Sequence, residues 1–536
     1  MKKILALLLA AIMVLGLVAC SGSNTPSTTA GNETKGPDNN ESVATEPASN
    51  LDPVTLKIWF HGSNVNAESS EYKQIIDAIN EYLGEKINVT LSPIWGTWGD
   101  FDTAVTTALA GGDDCDIYFT CNWSANDYNV YSRQGYYVRL DEEGNNLLEQ
   151  YAPELLNTIP SDIWDMAKTN GADGFGVYAV PALKDTATQN TWDVNVTLLT
   201  ELGYNIDDLK ANGIDYYSDE FEEMLAKAKE VKGADFYPLV FEPLVLERMV
   251  DMTAIVTGDQ NSLMSFYFDP EDPSKDIGST IVNKYGTERF QKYAERTYYL
   301  AQKGYISPST MNVGTSNDYL QNTRNEAKYL FGSQSYAYGY EHETTESRGV
   351  EVCYIPAHVP YMDCTSGQGA MMAVSSTSKN KERAVMFLNL LNTDAKLMTM
   401  MNYGLEGVTY TTNADGTISF ITEARALYSP WRNGMGNVRL LPPTEAEGVT
   451  YWDDFAAYYN TAKPLPYGAF IFDGTEVETE LAALTNVYSQ YAFNLMSGAV
   501  DPATELPVFL KALDDAGMQD VIDAANAQLT EYMANK

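Results

Sequence analysis

The sequence predicts an α/β protein with at least two domains, on two observations. A chain of 536 residues is too long for one hydrophobic core. From Val54 to Thr120, apolar strand patterns alternate with helical ones, the β–α–β–α–β rhythm of a doubly wound parallel sheet. Val54–Phe60, VTLKIWF, alternates and is apolar enough to be a buried strand. Residues 69–83 set Tyr72, Ile75, Ile76, Ile79, Tyr82 and Leu83 on one helical face. Residues 87–94 form the next strand. Asp100 stands where it can cap a helix running to Leu109, and Gly111 and Gly112 end it. Residues 116–120, DIYFT, are a third strand. In such sheets ligands bind beyond the carboxyl ends of the strands. That rule selects two loops, 61–64 and 121–124.

Farther along, 175–180 is extended and closes on Pro181, and 220–231 is a helix with Phe221, Met224, Leu225 and Ala228 inward. Residues 287–303 are a second helix, with a Tyr-rich face that suits a core. Residues 269–276, DPEDPSKD, are acidic but lack the spacing and glycine of a calcium loop, and read as a solvated turn. Residues 370–374 form a short buried strand and 375–380 a polar turn, with Ser378 placed to cap the following helix. That helix carries Ala384, Phe387, Leu388 and Leu391 on one face. Residues 408–421 read as a hairpin turned at Asn413–Gly416, and 508–535 as closing helices.

The amino terminus carries the clearest targeting signal. Lys2 and Lys3 precede the apolar run 4–18, too short for a confident membrane span, so 1–19 reads as a secretory signal. Residues 21–50 are rich in Ser, Thr, Asn, Gly, Pro and Glu; they cannot bury a core and are expected to be a disordered tether. The formal charge of −39 argues against a nucleic-acid partner, because phosphate binding needs a basic surface. Four cysteines remain beyond Cys20. Cys115 and Cys121 flank a strand that spans about 20 Å, so they are not expected to pair. Cys353 and Cys364 are compatible either with a disulfide or with two buried thiols. The three histidines, His61, His342 and His358, lie in no nucleophile elbow, zinc motif or triad-like context. No metal site and no cofactor are expected.

Two stretches carry a family resemblance. Leu17-Val18-Ala19-Cys20 resembles the bacterial lipobox, in which the cysteine becomes the lipidated mature N-terminus. The strand at 370–374, the Ser-rich turn, the Lys381-Glu382-Arg383-Ala384 helix start and the run FLNLLNTD…YGLEG…Y, ending at Tyr410, resemble the extracellular solute-binding proteins of ABC importers. The match is to family 1, the maltodextrin-binding type, in its long Gram-positive lipoprotein subgroup. It implies a two-lobed periplasmic-binding-protein-like fold. Each lobe would be a mainly parallel sheet flanked by helices, with a ligand cleft between them. The implied division is signal peptide 1–19, lipidated Cys20 and tether 20–51, lobe one 52–182 plus 366–440, and lobe two 183–365 plus 441–536. It further implies a monomer that is not an enzyme, lipid-anchored outside the cytoplasmic membrane, passing a carbohydrate ligand to the permease subunits.

By position, the resemblance assigns ligand contacts to His61, Ser63 and Asn64 in the first loop and to Asn122, Trp123 and Ser124 in the second. Asp185 falls where the family often places a hydroxyl-binding acid. Tyr336 or Tyr338 matches the second-lobe aromatic that stacks on a sugar. Trp431 and Asn437 belong to a "W…GN" motif whose glycines allow close backbone approach. Structural alternatives stand beside these: Trp123 packed under its loop, Asp185 an exposed loop acid, the tyrosines a ladder on a half-exposed strand. Trp95 and Trp98 either line the cleft or cover the sheet edge. Two other functions are compatible with the sequence. One is peptide binding; the other is a surface glycoside hydrolase, which needs two carboxylates at a set separation among 73 acids.

Overall fold

Strand β1 (Val54–Phe60) buries Leu56, Ile58 and Phe60 and turns the intervening residues outward, as its alternation requires. It opens a computed structural model that describes residues 50–535 apart from 62, 63, 98, 259–261 and 279. The expected signal peptide, Cys20 and most of the tether lie outside the described residues, as do Ser63 and Trp98. Eight further strands complete the two largest sheets: β2 (Val89–Trp95), β3 (Ile117–Thr120), β4 (Ala179–Pro181), β5 (Asn190–Asn195), β6 (Leu239–Val240), β7 (Phe331–Ser335), β8 (Val352–Pro356) and β9 (Met371–Val374). The first sheet has the order β2-β1-β3-β9-β4 and the second β8-β5-β7-β6.

Direction explains how the two sheets come to share a cleft. β1 runs parallel to β2 and β3, while β9 is antiparallel to both β3 and β4. In the second sheet β5 is antiparallel to β7 and β8, and β7 is parallel to β6. Each sheet is therefore co-directional except for one strand. β9 and β5 are the strands by which the chain enters from the opposite lobe. A chain arriving through the cleft joins the sheet at the end where the other strands leave it. Carboxyl ends of seven strands and amino ends of two thus converge on one space.

Two cores match the two sheets. One draws on 56–187 and 370–441, the other on 192–355 and 465–529. The two-lobed α/β fold expected from the sequence is the one observed. The chain passes between the cores three times, near 182–189, 357–369 and 442–464. Tyr451, Phe455 and Tyr459 pack into the first core, although the expected boundary at 441 assigns them to the second lobe. Arg133 in the first lobe meets Asp473 in the second at 3.7 Å.

Local signals were followed unevenly. Ser69 caps helix Ser70–Ile87, accepting from the Tyr72 N–H at 3.0 Å. Asp100 occupies the N-cap of Phe101–Gly111, but its Oδ1 accepts from the Thr97 N–H at 2.8 Å and makes no cap bond. Gly112, at φ +68°, ends that helix as expected. Ser378 is no helix cap either: its hydroxyl donates to buried Asp116, and Lys381–Thr393 starts from Asn380. Gly436, at φ +59°, lies where a Cβ would sit 2.5 Å from the Leu391 carbonyl, so close approach does require glycine in the "W…GN" motif. None of Cys115, Cys121, Cys353 and Cys364 is in a disulfide.

Candidate functional site

The converging strand ends enclose a cavity of about 850 Å³. Its first-lobe wall is aromatic. The loop after β3 carries Trp123, whose indole N–H donates to the Gly369 carbonyl at 2.6 Å. Trp123 remains 47% exposed, too much for a side chain packed under its loop. The Trp431 ring stands edge-on to it, with centroids 6.4 Å apart at 81°. His61 lies behind both indoles, 6.0 Å from Trp123 and 5.8 Å from Trp431, and 4.3 Å from Phe101. It is 4% exposed, and burial lowers its proton affinity, so it supports the aromatic wall as a neutral ring.

Asn122 lines the cavity beside Trp123. Its backbone N–H donates to Gln368 O at 3.1 Å and its Nδ2 to the Thr365 hydroxyl at 3.4 Å. Its Oδ1 is buried with no partner among the described residues. A buried acceptor without a donor is costly, and a ligand hydroxyl can supply one. The Ser124 hydroxyl, by contrast, donates to Asp102 at 3.1 Å.

The crossings contribute the polar floor. Lys184 and Asp185 form an ion pair there, both largely buried. Gln189 donates to the His358 carbonyl at 2.7 Å and accepts from the Tyr458 hydroxyl. The His358 Nε2 accepts from the Asn190 N–H at 3.1 Å, and burial lowers its pKa to about 4, which keeps that acceptor unprotonated. Second-lobe residues close the space. The Tyr336 hydroxyl donates to Glu341 at 3.3 Å, and its ring lies 5.5 Å from that of Tyr458. Arg248, on helix Pro243–Asp251, and Asp363 also face the cavity.

Of the residues singled out from the sequence, Asn122, Trp123, Ser124, Asp185, Tyr336 and Trp431 share this cavity. His61, Asn64, Tyr338 and Asn437 do not line it. Asn64 pairs with Ser429 in a two-stranded ladder. Tyr338 is held at its backbone by the hydroxyls of Tyr459 (3.2 Å) and Tyr451 (3.1 Å) and packs among the rings of Tyr451, Phe455 and Tyr458. Asn437 is 6% exposed and accepts from the Arg439 N–H at 3.0 Å, a cap rather than a contact. Trp95 stacks on Phe60 at 4.7 Å, covering the core. Sequence reading missed Lys184, Thr188, Arg248, Tyr340 and Asp363. For Asp363 a local signal existed, the capping box it forms with Ser366. For Arg248 there was none.

A shallower cavity of about 540 Å³, lined by Lys396, Met400, Leu405 and Tyr410 among others, shares no residue with the cleft. No cluster of three or more His, Cys, Asp or Glu suited to a metal ion occurs among the described residues. No helix among them is long and apolar enough to cross a membrane.

The chain is similar to a carbohydrate ABC transporter substrate-binding protein of Streptococcus pneumoniae serotype 4 (strain ATCC BAA-334 / TIGR4). Identity is 24% over 473 residues, covering 86% of this chain and 88% of the relative. Among solved structures it resembles the N-glycan transport solute binding protein NgtS of Streptococcus pneumoniae in complex with Man5GlcNAc. The TM-score is 0.70 at 21% identity, with 90% of this chain and 99% of that one covered. It also resembles the alginate-binding protein AlgQ2 without calcium ion, with a TM-score of 0.57 at 16% identity over 89% and 98% of the two chains. The profile of a family described as a domain of unknown function (DUF3502) matches residues 466–534.

Proposed function

We propose that this chain is the substrate-binding lipoprotein of an ABC importer, which captures an oligosaccharide between its two lobes and delivers it to a membrane permease. The observation that carries this is the wall formed by Trp123 and Trp431. A half-exposed indole, pinned by its own N–H and set edge-on to a second indole, presents a flat apolar face inside a polar cleft. Pyranose rings need that combination: their C–H faces are apolar and their edges carry hydroxyls. At about 850 Å³ the cavity lies toward the upper end of small-molecule sites, which suits more than one sugar ring. The similarity to a carbohydrate substrate-binding protein and to an N-glycan receptor supports carbohydrate over peptide. Binding rather than hydrolysis fits the three acids that line the cavity: Asp185 is neutralised by Lys184, and Asp127 and Asp363 cap helices. The ligand contacts are Asn122, Trp123, Ser124, Asp185, Tyr336 and Trp431.

The test is a thermal-shift and calorimetric screen of the mature protein against oligosaccharides and oligopeptides. Stabilisation by one class of glycan is expected; stabilisation by peptides alone would replace this reading with the peptide one. The protein works as a monomer at the outer face of the membrane, held by a lipid on Cys20, because the lipobox-like tetrad and the polar tether suit that anchor. Cys20→Ala is expected to shift the protein from the membrane fraction to the medium, or to leave it unprocessed. Unchanged cleavage and membrane retention would rule out the lipid.

A further inference from the structure

We infer that Arg248 and Asp363 form a specificity pair on the second-lobe wall: the guanidinium donates to one ring hydroxyl, the carboxylate accepts from its neighbour, and the saccharide they select is uncharged. This rests on the saccharide reading above and adds the residues and the charge class.

Asp363 lines the cavity although only 6% of it is exposed. Its carboxylate is held in place: Oδ1 accepts from the Thr365 N–H at 2.9 Å and from the Thr188 hydroxyl at 3.3 Å. Its backbone N–H donates to Ser366 Oγ at 3.3 Å. The side chain also accepts from the Ser366 N–H in the helix cap, and a carboxylate with about four lone-pair sites keeps acceptor capacity beyond these bonds. Arg248 is held by one bond, Nε to the Leu244 carbonyl at 3.3 Å. No other hydrogen bond or ion pair of its guanidinium occurs among the described residues. Four N–H donors of a rigid fork are thus left in a cavity wall. Burial raises the Asp363 pKa to about 6, and the Arg248 charge opposes that rise.

Adjacent hydroxyls on a pyranose offer a donor and an acceptor side by side, which satisfies both groups at once. The rival occupant is a uronate whose carboxylate takes the Arg248 fork. Three carboxylates, Asp127, Asp185 and Asp363, line the cavity against two cations, Lys184 and Arg248. Lys184 is already paired with Asp185. A uronate on Arg248 would compete with Asp363 for one cation, inside an excess of negative charge on a chain of formal charge −39.

The test compares calorimetric affinities of the full mature chain at neutral pH for neutral oligosaccharides (Man5GlcNAc, a neutral milk-type trisaccharide and kestose) and for a mannuronate pentamer. The wild type is expected to bind a neutral glycan at least 100-fold more tightly than the uronate. Arg248→Lys keeps the charge and loses the fork, and is expected to weaken neutral binding at least tenfold without moving the melting temperature. Asp363→Asn should narrow the neutral-over-uronate ratio; if its lost cap unfolds the protein, Arg248→Lys still decides. Uronate bound as tightly as the neutral glycans overturns the inference while leaving the saccharide reading intact. So does an Arg248→Lys variant with wild-type affinity. If no glycan of either kind binds, the saccharide reading fails, and the inference with it.

Discussion

Trp123→Ala is expected to weaken oligosaccharide binding by roughly thirty-fold or more, with little change in melting temperature. Stacking an indole on a sugar face removes apolar surface from water at about 25 cal/mol per Å², and a central aromatic anchor is commonly worth about 2 kcal/mol. Trp123 belongs to neither buried core: 47% of it is exposed, its ring meets His61 and Trp431 edge-on, and its N–H bond to the Gly369 carbonyl is one that water can replace. A core tryptophan behaves in the opposite way, with about 3–5 kcal/mol of stability lost and affinity retained. Calorimetry and thermal melting on the same variant separate the two. A stability loss with parental affinity would remove Trp123 from the site and leave Trp431 without its partner in the wall.

Lys284→Met is expected to cost the second lobe about 3–5 kcal/mol, the usual penalty for stripping one partner from a buried ion pair. Lys284 is 1% exposed and Glu247 fully buried, and Nζ lies 2.5 Å from Oε2. Glu247 Oε1 has no hydrogen-bond partner among the described residues, so Lys284 is its one direct counter-ion there. Removing both charges, in Lys284→Met with Glu247→Leu, should recover most of the loss. Asp251 makes the same cluster sensitive to pH. Burial first, and the Glu247 charge second, raise its pKa to about 8. The folded state therefore holds a proton that the unfolded chain, near pKa 4, has released. That contribution to stability is complete below about pH 4, falls as pH rises, and is gone by about pH 8. Asp251→Asn should match the parent near pH 4 and exceed it increasingly up to pH 8. Parallel melting curves across that range would show that Asp251 is ionised in the folded protein without penalty.

What the sequence revealed depended on how local the cause was. β1 and the flanking helix Ser70–Ile87 follow from periodicity, because their burial is set by one face of one element. The first-lobe wall was legible for the same reason. A strand end predicts the place of the loop after it, and Asn122 and Trp123 fall there. That rule failed at His61, which also follows a strand: Phe101 and the two indoles cover it, and no local pattern records that packing. Ser378 has the residue type of a cap, but a buried carboxylate 262 positions earlier in the chain claims its hydroxyl. Arg248 lies on a helix whose inward face is set by packing on β7 and on helix Glu288–Gln302, both distant in the chain. Of the second-lobe wall the sequence therefore showed Tyr336 and not Arg248, and Asn437 was misjudged because its polar side chain caps a buried turn.

The cleft is expected to receive a saccharide and to return it unchanged. Equilibrium dialysis of the mature protein against a mixed oligosaccharide pool, followed by mass spectrometry of the glycans retained with the protein, addresses both halves. A binding protein retains one class of glycan at stoichiometric amounts and releases it intact on denaturation, and Trp123→Ala retains far less. Shortened glycans in the dialysate, or no glycan held above the free concentration, would contradict it.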